Sequence, residues 1–428
     1  MIRIKNITCE HCTAPLAVTV QNPRFSWVLE SDRNQTYQNA YRIVVLNPRE
    51  ECVWDSGRSE SAQSTDVSYE GELLLSDSRY KYQITVWDDQ EGKCVSEWMY
   101  FETAFFVMED WKANWIEPDP LPQLPQNPLE GASRKWMDIV NSMMRGEPVQ
   151  MISDEENLKS QGLEPYDPPV RLRRQFQLKG QVKSTYDKRI KYQVYPVGHL
   201  LHVGQNAIAV TISDGWYKGK IALGRGCEYG EVPGLLLQIE VKYEDGTAET
   251  ICSDGTWQYS FDGPIRMADL FLGQTVDGRL EDGEPSDSSY CAENWKPVQV
   301  KEKPGDGNEA DREFNGVLEA QTAPPAKVFE EIPAQKVWNA PNGDTLVDFG
   351  QNMAGTIRVI VRGEEGEQVT FEHGEVLDRD GNFTYVFEKD DTRAQRDCYI
   401  CRGTGDEIFA PQFTYHGFRY VRVKGGNH

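Results

Sequence analysis

The segment Tyr80-Lys-Tyr-Gln-Ile-Thr-Val-Trp87 carries the pattern that decides the fold of this 428-residue chain. It is a short run of aromatic and β-branched residues, and the turn-forming residues Gln90-Glu-Gly92 follow it. Such runs are typical of β-strands, and Tyr41-Arg-Ile-Val-Val-Leu46 is another example. Helical periodicity is scarce, with modest candidates only at residues 128–145 and 388–396. We therefore predict an all-β protein.

The length and the charge of the chain limit its class. At roughly 100–200 residues per domain, the chain is long enough for two to four domains, each with its own core. It has 45 Lys and Arg residues against 68 Asp and Glu residues, a formal net charge of -23 at pH 7. Such a charge opposes binding to a polyanion. We therefore expect no nucleic-acid partner.

The sequence also bears on the compartment. Met1-Ile-Arg-Ile-Lys-Asn6 contains no apolar run long enough for a signal peptide, and no long apolar stretch predicts a membrane span. The nine cysteines are few for this length and odd in number, so we expect reduced thiols rather than a disulfide framework. We predict a cytoplasmic protein without a membrane partner.

Residues 1–105 form the first predicted domain. Several strand-like runs with turn signals at Asn22-Pro23 and Asp55-Ser-Gly57 indicate a small β-sandwich similar to a fibronectin type III module. Its tryptophans offer two interpretations, a sugar-stacking platform or packing within and along the sheets. Because aromatic residues at strand spacing usually pack, we favour core positions for Trp27, Trp54, Trp87 and Trp98.

Three further segments follow. Residues 106–170 are predicted to be a linker or insertion, because the sequence from Pro118 to Pro169 is rich in Pro, Gln, Met and acidic residues. Residues 171–300 form a second β region, with a hairpin turn expected at Glu244-Asp-Gly246. After a charged stretch, residues 323–428 again alternate strands with glycine turns.

Two Cys-x-x-Cys pairs, Cys9-Glu-His-Cys12 and Cys398-Tyr-Ile-Cys401, supply four thiols that could hold a zinc ion. Residues three apart in a strand point to opposite faces, however, and the apolar Tyr-Ile pair favours a strand. A redox role would need a βαβ setting, which the pattern lacks. The metal-ligand assignment therefore stays unknown.

The six histidines form no His-x-x-x-His pair and no recognisable triad with Ser and Asp. His416 lies in Phe413-Thr-Tyr-His-Gly-Phe-Arg-Tyr420, where its aromatic neighbours favour a structural strand histidine over a catalytic base. No glycine-rich loop of the phosphate-binding type occurs. Neither a histidine-based catalytic site nor nucleotide binding is predicted.

Two turn-rich segments are the candidate binding loops, Asp214-Gly-Trp-Tyr-Lys-Gly219 and Asp277-Gly-Arg-Leu-Glu281. They place carboxylates beside aromatic and basic groups, as calcium-assisted sugar-binding modules often do. Simple turn formation by Asp-Gly is the competing interpretation, and it is the favoured one. Our candidate substrate-binding residues are Asp214, Trp216 and Asp277. No catalytic residue is assigned, because acidic residues are too abundant for spacing to single out a pair.

Longer motifs occur in all three β regions. The first contains Asn22-Pro-Arg-Phe-Ser-Trp27, Gln38-Asn-Ala-Tyr-Arg42, Val53-Trp-Asp-Ser-Gly57, Trp98-Met-Tyr-Phe-Glu-Thr103 and Trp111-Lys-Ala-Asn-Trp-Ile116. The second contains Leu172-Arg-Arg-Gln-Phe176, Gly204-Gln-Asn-Ala-Ile-Ala-Val210 and Asp214-Gly-Trp-Tyr-Lys-Gly219. The third contains Val347-Asp-Phe-Gly-Gln-Asn-Met-Ala-Gly355, Glu375-Val-Leu-Asp-Arg-Asp-Gly-Asn382 and Phe413-Thr-Tyr-His-Gly-Phe-Arg-Tyr-Val421. In this order they resemble the bacterial α-L-rhamnosidases of glycoside hydrolase family 78, over nearly the whole chain.

The resemblance implies the architecture of the three regions. It implies a fibronectin type III-like N-terminal sandwich, a jelly-roll sandwich that binds rhamnose in some members, and a concanavalin-like β-sandwich. The jelly roll is expected to be incomplete, because the family has additional strands where this sequence runs from Lys179 to Tyr186. The family also often has Gly-Glu where this sequence has Gly273-Gln274.

The resemblance implies a function as well. In the family, an inverting glycosidase reaction is carried out by a following α/α barrel, whose Asp-Glu-Arg-x-Gly-Trp motif does not occur here. We therefore expect the non-catalytic β-sandwich portion of an α-L-rhamnosidase, inactive by itself and ending at His428 where the barrel would begin. The alternative is a free-standing carbohydrate-binding protein or an inactive truncated fragment. The expected partners are rhamnose-containing glycosides and a separately encoded barrel. No cofactor is expected, and calcium is the one candidate ion.

Overall fold

The computed structural model describes residues 2–119, 168–176, 189–220, 227, 230, 232–243, 247–301, 317–321, 326–384 and 395–425. These residues are nearly all β, which confirms the predicted fold class. The helical elements among them are the short helix α1 and three 3-10 turns: α1 Gly215–Lys218, Met108–Asp110, Gly198–Leu200 and Gly278–Leu280. The predicted helix at 128–145 lies outside the described residues, as does nearly all of 388–396. In the described part, no helix is long and apolar enough to cross a membrane.

The N-terminal region is a β-sandwich with one sheet in the order β1-β2-β5 and a second in the order β4-β3-β6-β7, where β8 also pairs with β6. Its strands are β1 Ile2–Cys9, β2 Arg24–Ser31, β3 Gln38–Leu46, β4 Cys52–Asp55, β5 Val67–Ser68, β6 Arg79–Asp88, β7 Lys93–Val95 and β8 Met99–Glu102. Alternate residues of β6, namely Tyr80, Tyr82, Ile84 and Val86, are buried. The alternation arises because successive strand residues face opposite sides.

The tryptophans of this sandwich do not form an exposed platform. Trp27 is buried and donates its indole N–H to the side chain of Gln38 at 2.9 Å. Trp54, Trp87 and Trp98 are half-buried, with Arg58 lying over Trp87 and Lys81 lying over Trp98. Their faces are thus covered by packing and by cations.

The middle region contains a four-stranded sheet in the order β12-β10-β15-β18 and the hairpin β13-β14. Its strands are β9 Trp115–Glu117, β10 Val170–Phe176, β11 Arg189–Tyr192, β12 Asn206–Ile212, β13 Gln238–Lys242, β14 Ala248–Cys252, β15 Gln258–Ser260, β16 Ile265–Asp269, β17 Gly273–Asp277, β18 Lys296–Pro297, β19 Gln299–Lys301 and β20 Val317–Ala320. Leu172, Leu237 and Trp257 form the centre of its core. The predicted turn at 244–246 and the shortened stretch 179–186 lie outside the described residues.

The C-terminal region is built on a seven-stranded sheet in the order β16-β17-β25-β24-β27-β22-β21, with the pair β23-β26 beside it. The remaining strands are β21 Lys336–Asn339, β22 Thr345–Gly355, β23 Val359–Val361, β24 Gln368–Gly374, β25 Arg396–Ile400, β26 Glu407–Phe409 and β27 His416–Lys424. Phe371, Tyr399, Phe409 and Phe418 pack in its core. These four aromatic rings are each buried enough to contribute about 1.5–3 kcal/mol.

Strand pairing does not follow the predicted domain limits. The hairpin β16-β17 falls inside the predicted second domain, 171–300, yet β17 pairs in parallel with β25 through Thr275 and Cys398. Gly273 makes this junction possible, because its φ is +128° and a Cβ atom there would lie 1.9 Å from the carbonyl oxygen of Arg396. The second and third predicted regions therefore share one sheet, and the limits themselves stay predictions.

Candidate functional site

The turn Asp214–Gly219 follows β12 and presents an aromatic side chain to solvent. The carbonyl oxygen of Asp214 accepts the N–H groups of Lys218 at 3.0 Å and Gly219 at 3.3 Å, which closes one helical turn. Gly215 begins that turn with a φ of +52°, in the region that favours glycine. Trp216 then projects outward with 43% of its surface exposed. Of the tryptophans that the structure describes, it is the one left exposed.

The Asp214 carboxylate does not share that exposure. It lies 3.6 Å from the ammonium group of Lys218, four residues further on, and both side chains are largely buried. An ion pair at this spacing stabilises a single helical turn. Asp214 and Trp216 therefore lie in the same turn, but Asp214 is bound within the turn while Trp216 faces outward.

A buried carboxylate anchors this turn to the C-terminal sheet. Oδ2 of Asp269 accepts the backbone N–H of Lys220 at 2.6 Å. Oδ1 of Asp269 accepts the N–H groups of Phe271 at 2.8 Å and Leu272 at 2.9 Å, in the turn between β16 and β17. One side chain thus joins the segment that carries Trp216 to the β16-β17 hairpin.

Asp277 lies at the other end of β17 from that anchor. Its Oδ1 accepts the N–H of Arg279, and its two carboxylate oxygens receive the Arg279 guanidinium at 2.9 and 2.8 Å. This pairing with Arg279 holds the pKa of Asp277 below its ordinary value. Asp277 lies four residues after Gly273, the first residue of β17, which is roughly 13 Å along the strand at the usual rise. The structure therefore does not bring Asp277 together with Asp214 and Trp216.

Gln274 takes a structural position in β17. It is buried, and its side-chain oxygen accepts the N–H groups of Gln412 and Phe413. Its own backbone N–H donates to Oδ1 of Asp397 at 2.8 Å. Gln274 is thus engaged in holding the 412–413 segment against the sheet.

A second group of polar residues, which the sequence patterns alone do not bring together, consists of His373, Asp397 and His416. They project from β24, the start of β25 and the start of β27, and their side chains are at most 1% exposed. Nε2 of His416 lies 3.2 Å and Nε2 of His373 lies 3.8 Å from Oδ2 of Asp397. One potential ligand atom from each residue lies within 4.8 Å of the others. We call these three residues the His–Asp–His cluster.

The electrostatics of the cluster follow from its burial. Burial, reinforced by the neighbouring His416, lowers the pKa of His373 to about 4. Burial would raise the pKa of Asp397, but the imidazoles of His416 and His373 outweigh it and lower that pKa. The sequence did contain a signal: each of the three residues occupies the inward face of its strand, two positions from Phe371, Tyr399 or Phe418.

Comparison with known proteins places the chain in a class. Three family models match it in order: the Rha78A-like N-terminal immunoglobulin domain at residues 4–107, the alpha-L-rhamnosidase N-terminal domain at 178–330, and the bacterial alpha-L-rhamnosidase concanavalin-like domain at 339–428. Together they define the β-domains of the rhamnosidases. The three matches follow one another along most of the chain and assign it to the N-terminal β-domains of the α-L-rhamnosidase family.

Individual relatives agree with this assignment. An alpha-L-rhamnosidase of Streptomyces avermitilis is 26% identical over 99% of this chain and 56% of its own length. One of Formosa agariphila is 29% identical over 96% of this chain and 45% of its own length. The solved structure of the alpha-L-rhamnosidase from Dictyoglumus thermophilum superposes with a TM-score of 0.76 at 27% identity, covering 99% of this chain and 47% of its own length. The chain spans about half the length of the curated relatives it matches.

Proposed function

We propose that these β-domains contact rhamnose-containing glycosides through Trp216 and position them for a rhamnosidase catalytic domain. The exposed indole of Trp216 carries the proposal. Sugar sites commonly offer an aromatic face together with a few fixed polar groups. The Streptomyces avermitilis relative was solved in complex with L-rhamnose, which supports a rhamnoside as the ligand class.

The rigidity of the turn supports the same role. A contact residue on a freely moving loop would lose conformational entropy on binding, whereas one on an anchored turn loses less. The backbone closure at Asp214 and the hydrogen bond from Lys220 to Asp269 fix the segment on both sides of Trp216. The backbone that carries the indole is therefore anchored on both sides.

We propose that hydrolysis is carried out by a catalytic domain distinct from these β-domains. The matched relatives are about twice as long as the region they share with the chain. We propose that such a domain, covalently attached or separately encoded, is the protein partner of these sandwiches. A cytoplasmic location remains a prediction.

Two measurements on the purified chain test the proposal. Release of p-nitrophenol from its α-L-rhamnoside should stay at background, and turnover would contradict the assignment of hydrolysis to another domain. Calorimetry should show L-rhamnose binding, with and without calcium, that Trp216→Ala weakens by at least about tenfold, or about 1.4 kcal/mol. Tyr37→Ala is the matched control, because Tyr37 is an exposed aromatic residue of the N-terminal sandwich. Equal affinities in both variants would exclude Trp216 as the contact.

A further inference from the structure

Three polar atoms of the His–Asp–His cluster lack hydrogen-bond partners among the neighbouring protein groups. Nε2 of His373, Oδ2 of Asp397 and Nε2 of His416 are all buried, and none has a hydrogen-bond partner of acceptable geometry. Burying a polar atom without a hydrogen-bond partner is energetically costly. Three such atoms converging on one point therefore call for a bound group.

The hydrogen bonding of His373 indicates what kind of group fits there. Its Nδ1 lies 3.0 Å from the carbonyl oxygen of Gln395, and a carbonyl can only accept, so Nδ1 carries the proton. In the neutral ring, Nε2 then presents a lone pair. That lone pair faces Oδ2 of Asp397, which is also an acceptor, at 3.8 Å. Two acceptors facing each other across a buried gap are stabilised by a cation between them.

The other atoms of the cluster are already fixed in the way that metal ligands usually are. Oδ1 of Asp397 accepts hydrogen bonds from the Gln274 N–H at 2.8 Å and the Thr414 hydroxyl at 3.1 Å. Together with the Gln395 contact to His373, these bonds orient two of the three side chains and leave Oδ2 and Nε2 pointing inward. Outer hydrogen bonds of this kind orient ligands and set their tautomers in metal sites.

We propose that Nε2 of His373, Oδ2 of Asp397 and Nε2 of His416 bind one zinc ion. Two imidazoles and one carboxylate suit zinc, whereas calcium prefers oxygen ligands alone. Zinc bonds of about 2.0–2.1 Å in a tetrahedron place ligand atoms about 3.3 Å apart. The Nε2 atoms of His416 and His373 lie 3.2 and 3.8 Å from Oδ2 of Asp397, close to this value, and all three ligand atoms lie within 4.8 Å of one another. A water molecule would complete the tetrahedron.

The ion has a structural role, because the cluster is closed to solvent. Its three ligands come from β25, β24 and β27, which lie next to one another in the seven-stranded sheet. Since the ligand side chains are at most 1% exposed, the ion enters while the sheet forms. This inference is independent of rhamnoside binding at Trp216.

The test begins with the unaltered chain. It is unfolded, refolded with either zinc or a chelator, dialysed and analysed for metal content. The zinc preparation should retain one ion per chain and unfold at a higher temperature. X-ray absorption should show nitrogen and oxygen neighbours at about 2.0–2.1 Å and no sulfur at about 2.3 Å. A folded chain that retains no zinc, or sulfur in the coordination shell, would overturn the site.

Variants then locate the ion. His373→Asn and Asp397→Asn should each lower zinc affinity at least tenfold, whereas the exposed His199→Asn serves as the control and should retain the ion. The double variant Cys9→Ser/Cys12→Ser should also retain it. Zinc retained in full by both cluster variants would refute the assignment. The absorption measurement on the unaltered chain decides the case if a cluster variant does not fold.

Discussion

The hydroxyl of Tyr399 donates a hydrogen bond of 2.9 Å to Oε2 of Glu407, and both residues are buried in the C-terminal region. The same carboxylate accepts the backbone N–H groups of Arg402, Gly403 and Thr404. The loop between β25 and β26 therefore closes around one buried charge, which its own backbone satisfies.

Removal of the Tyr399 hydroxyl should destabilise the chain. We expect Tyr399→Phe to lower the free energy of unfolding by about 1.5–3 kcal/mol, because a buried hydrogen bond to a charged group is lost. Urea unfolding followed by circular dichroism measures this change. Tyr37→Phe, at an exposed tyrosine, is the control and should change stability by less than about 0.5 kcal/mol. Similar losses in the two variants would mean that the hydroxyl contributes little.

The ionisation of Glu407 makes stability depend on pH. Burial would raise the pKa of Glu407, but the N–H groups of Arg402 and its neighbours and the Tyr399 hydroxyl lower it below its ordinary 4.5. A carboxyl with a depressed folded-state pKa stabilises the fold above its unfolded-state pKa, and this contribution is lost as the pH falls through the folded-state pKa. Glu407→Gln should thus be less stable than the parent near neutral pH.

The same variant gives the pH test. The difference in unfolding free energy between the parent and Glu407→Gln should shrink once the pH falls below 4.5, and it should be smallest below the folded-state pKa. Urea unfolding across acidic and neutral pH measures it. A difference that grows on acidification would contradict the depressed pKa.

Gly273 should be intolerant of a side chain. Gly273→Ala combines a left-handed φ with a Cβ atom 1.9 Å from the Arg396 carbonyl oxygen, so we expect a loss of about 3 kcal/mol or more. Gly381→Ala is the matched control, because Gly381 has a φ of +85° with nothing within 4 Å of the added atom. It should lose only about 1–2 kcal/mol. Thermal unfolding that ranks the two variants equally would exclude the close approach as the cause.

Asp269 should keep the backbone of the turn that carries Trp216 ordered. Asp269→Ala removes the acceptor for three backbone N–H groups, at a cost of about 1–3 kcal/mol. Hydrogen exchange in peptides covering residues 214–220 should accelerate, whereas the exposed Glu293→Ala should leave it unchanged. Unchanged exchange in Asp269→Ala would show that the turn is held by other contacts.

Much of the strand content could be predicted from residue patterns alone. The run Tyr80–Trp87 lies within β6 and the run Tyr41–Leu46 lies within β3, because apolar and β-branched runs form strands wherever they meet a core. The strands themselves are longer than these runs, since β6 begins at Arg79 and β3 begins at Gln38. Strand ends depend on pairing partners elsewhere in the chain, which local pattern does not reveal.

The candidate sites were harder to predict. Asp214 and Trp216 are only two residues apart, so the motif alone predicts that they lie in one turn. The His–Asp–His cluster joins residues whose sequence separations are 24 and 19, and it exists only because β24 pairs with both β25 and β27. The register of those pairings is a tertiary property. His416 was therefore interpreted as an isolated structural histidine.

The parallel pairing of β17 with β25 also determines when this part of the sheet can form during synthesis of the chain. Gln274 and Asp397, which share a hydrogen bond at this junction, are 123 residues apart. At about 5–20 residues per second, a ribosome adds that stretch in roughly 6–25 seconds. During that interval the β16-β17 hairpin has left the ribosomal exit tunnel, but its partner strand β25 has not. The edge of β17 that later pairs with β25 is therefore without its partner strand during those seconds.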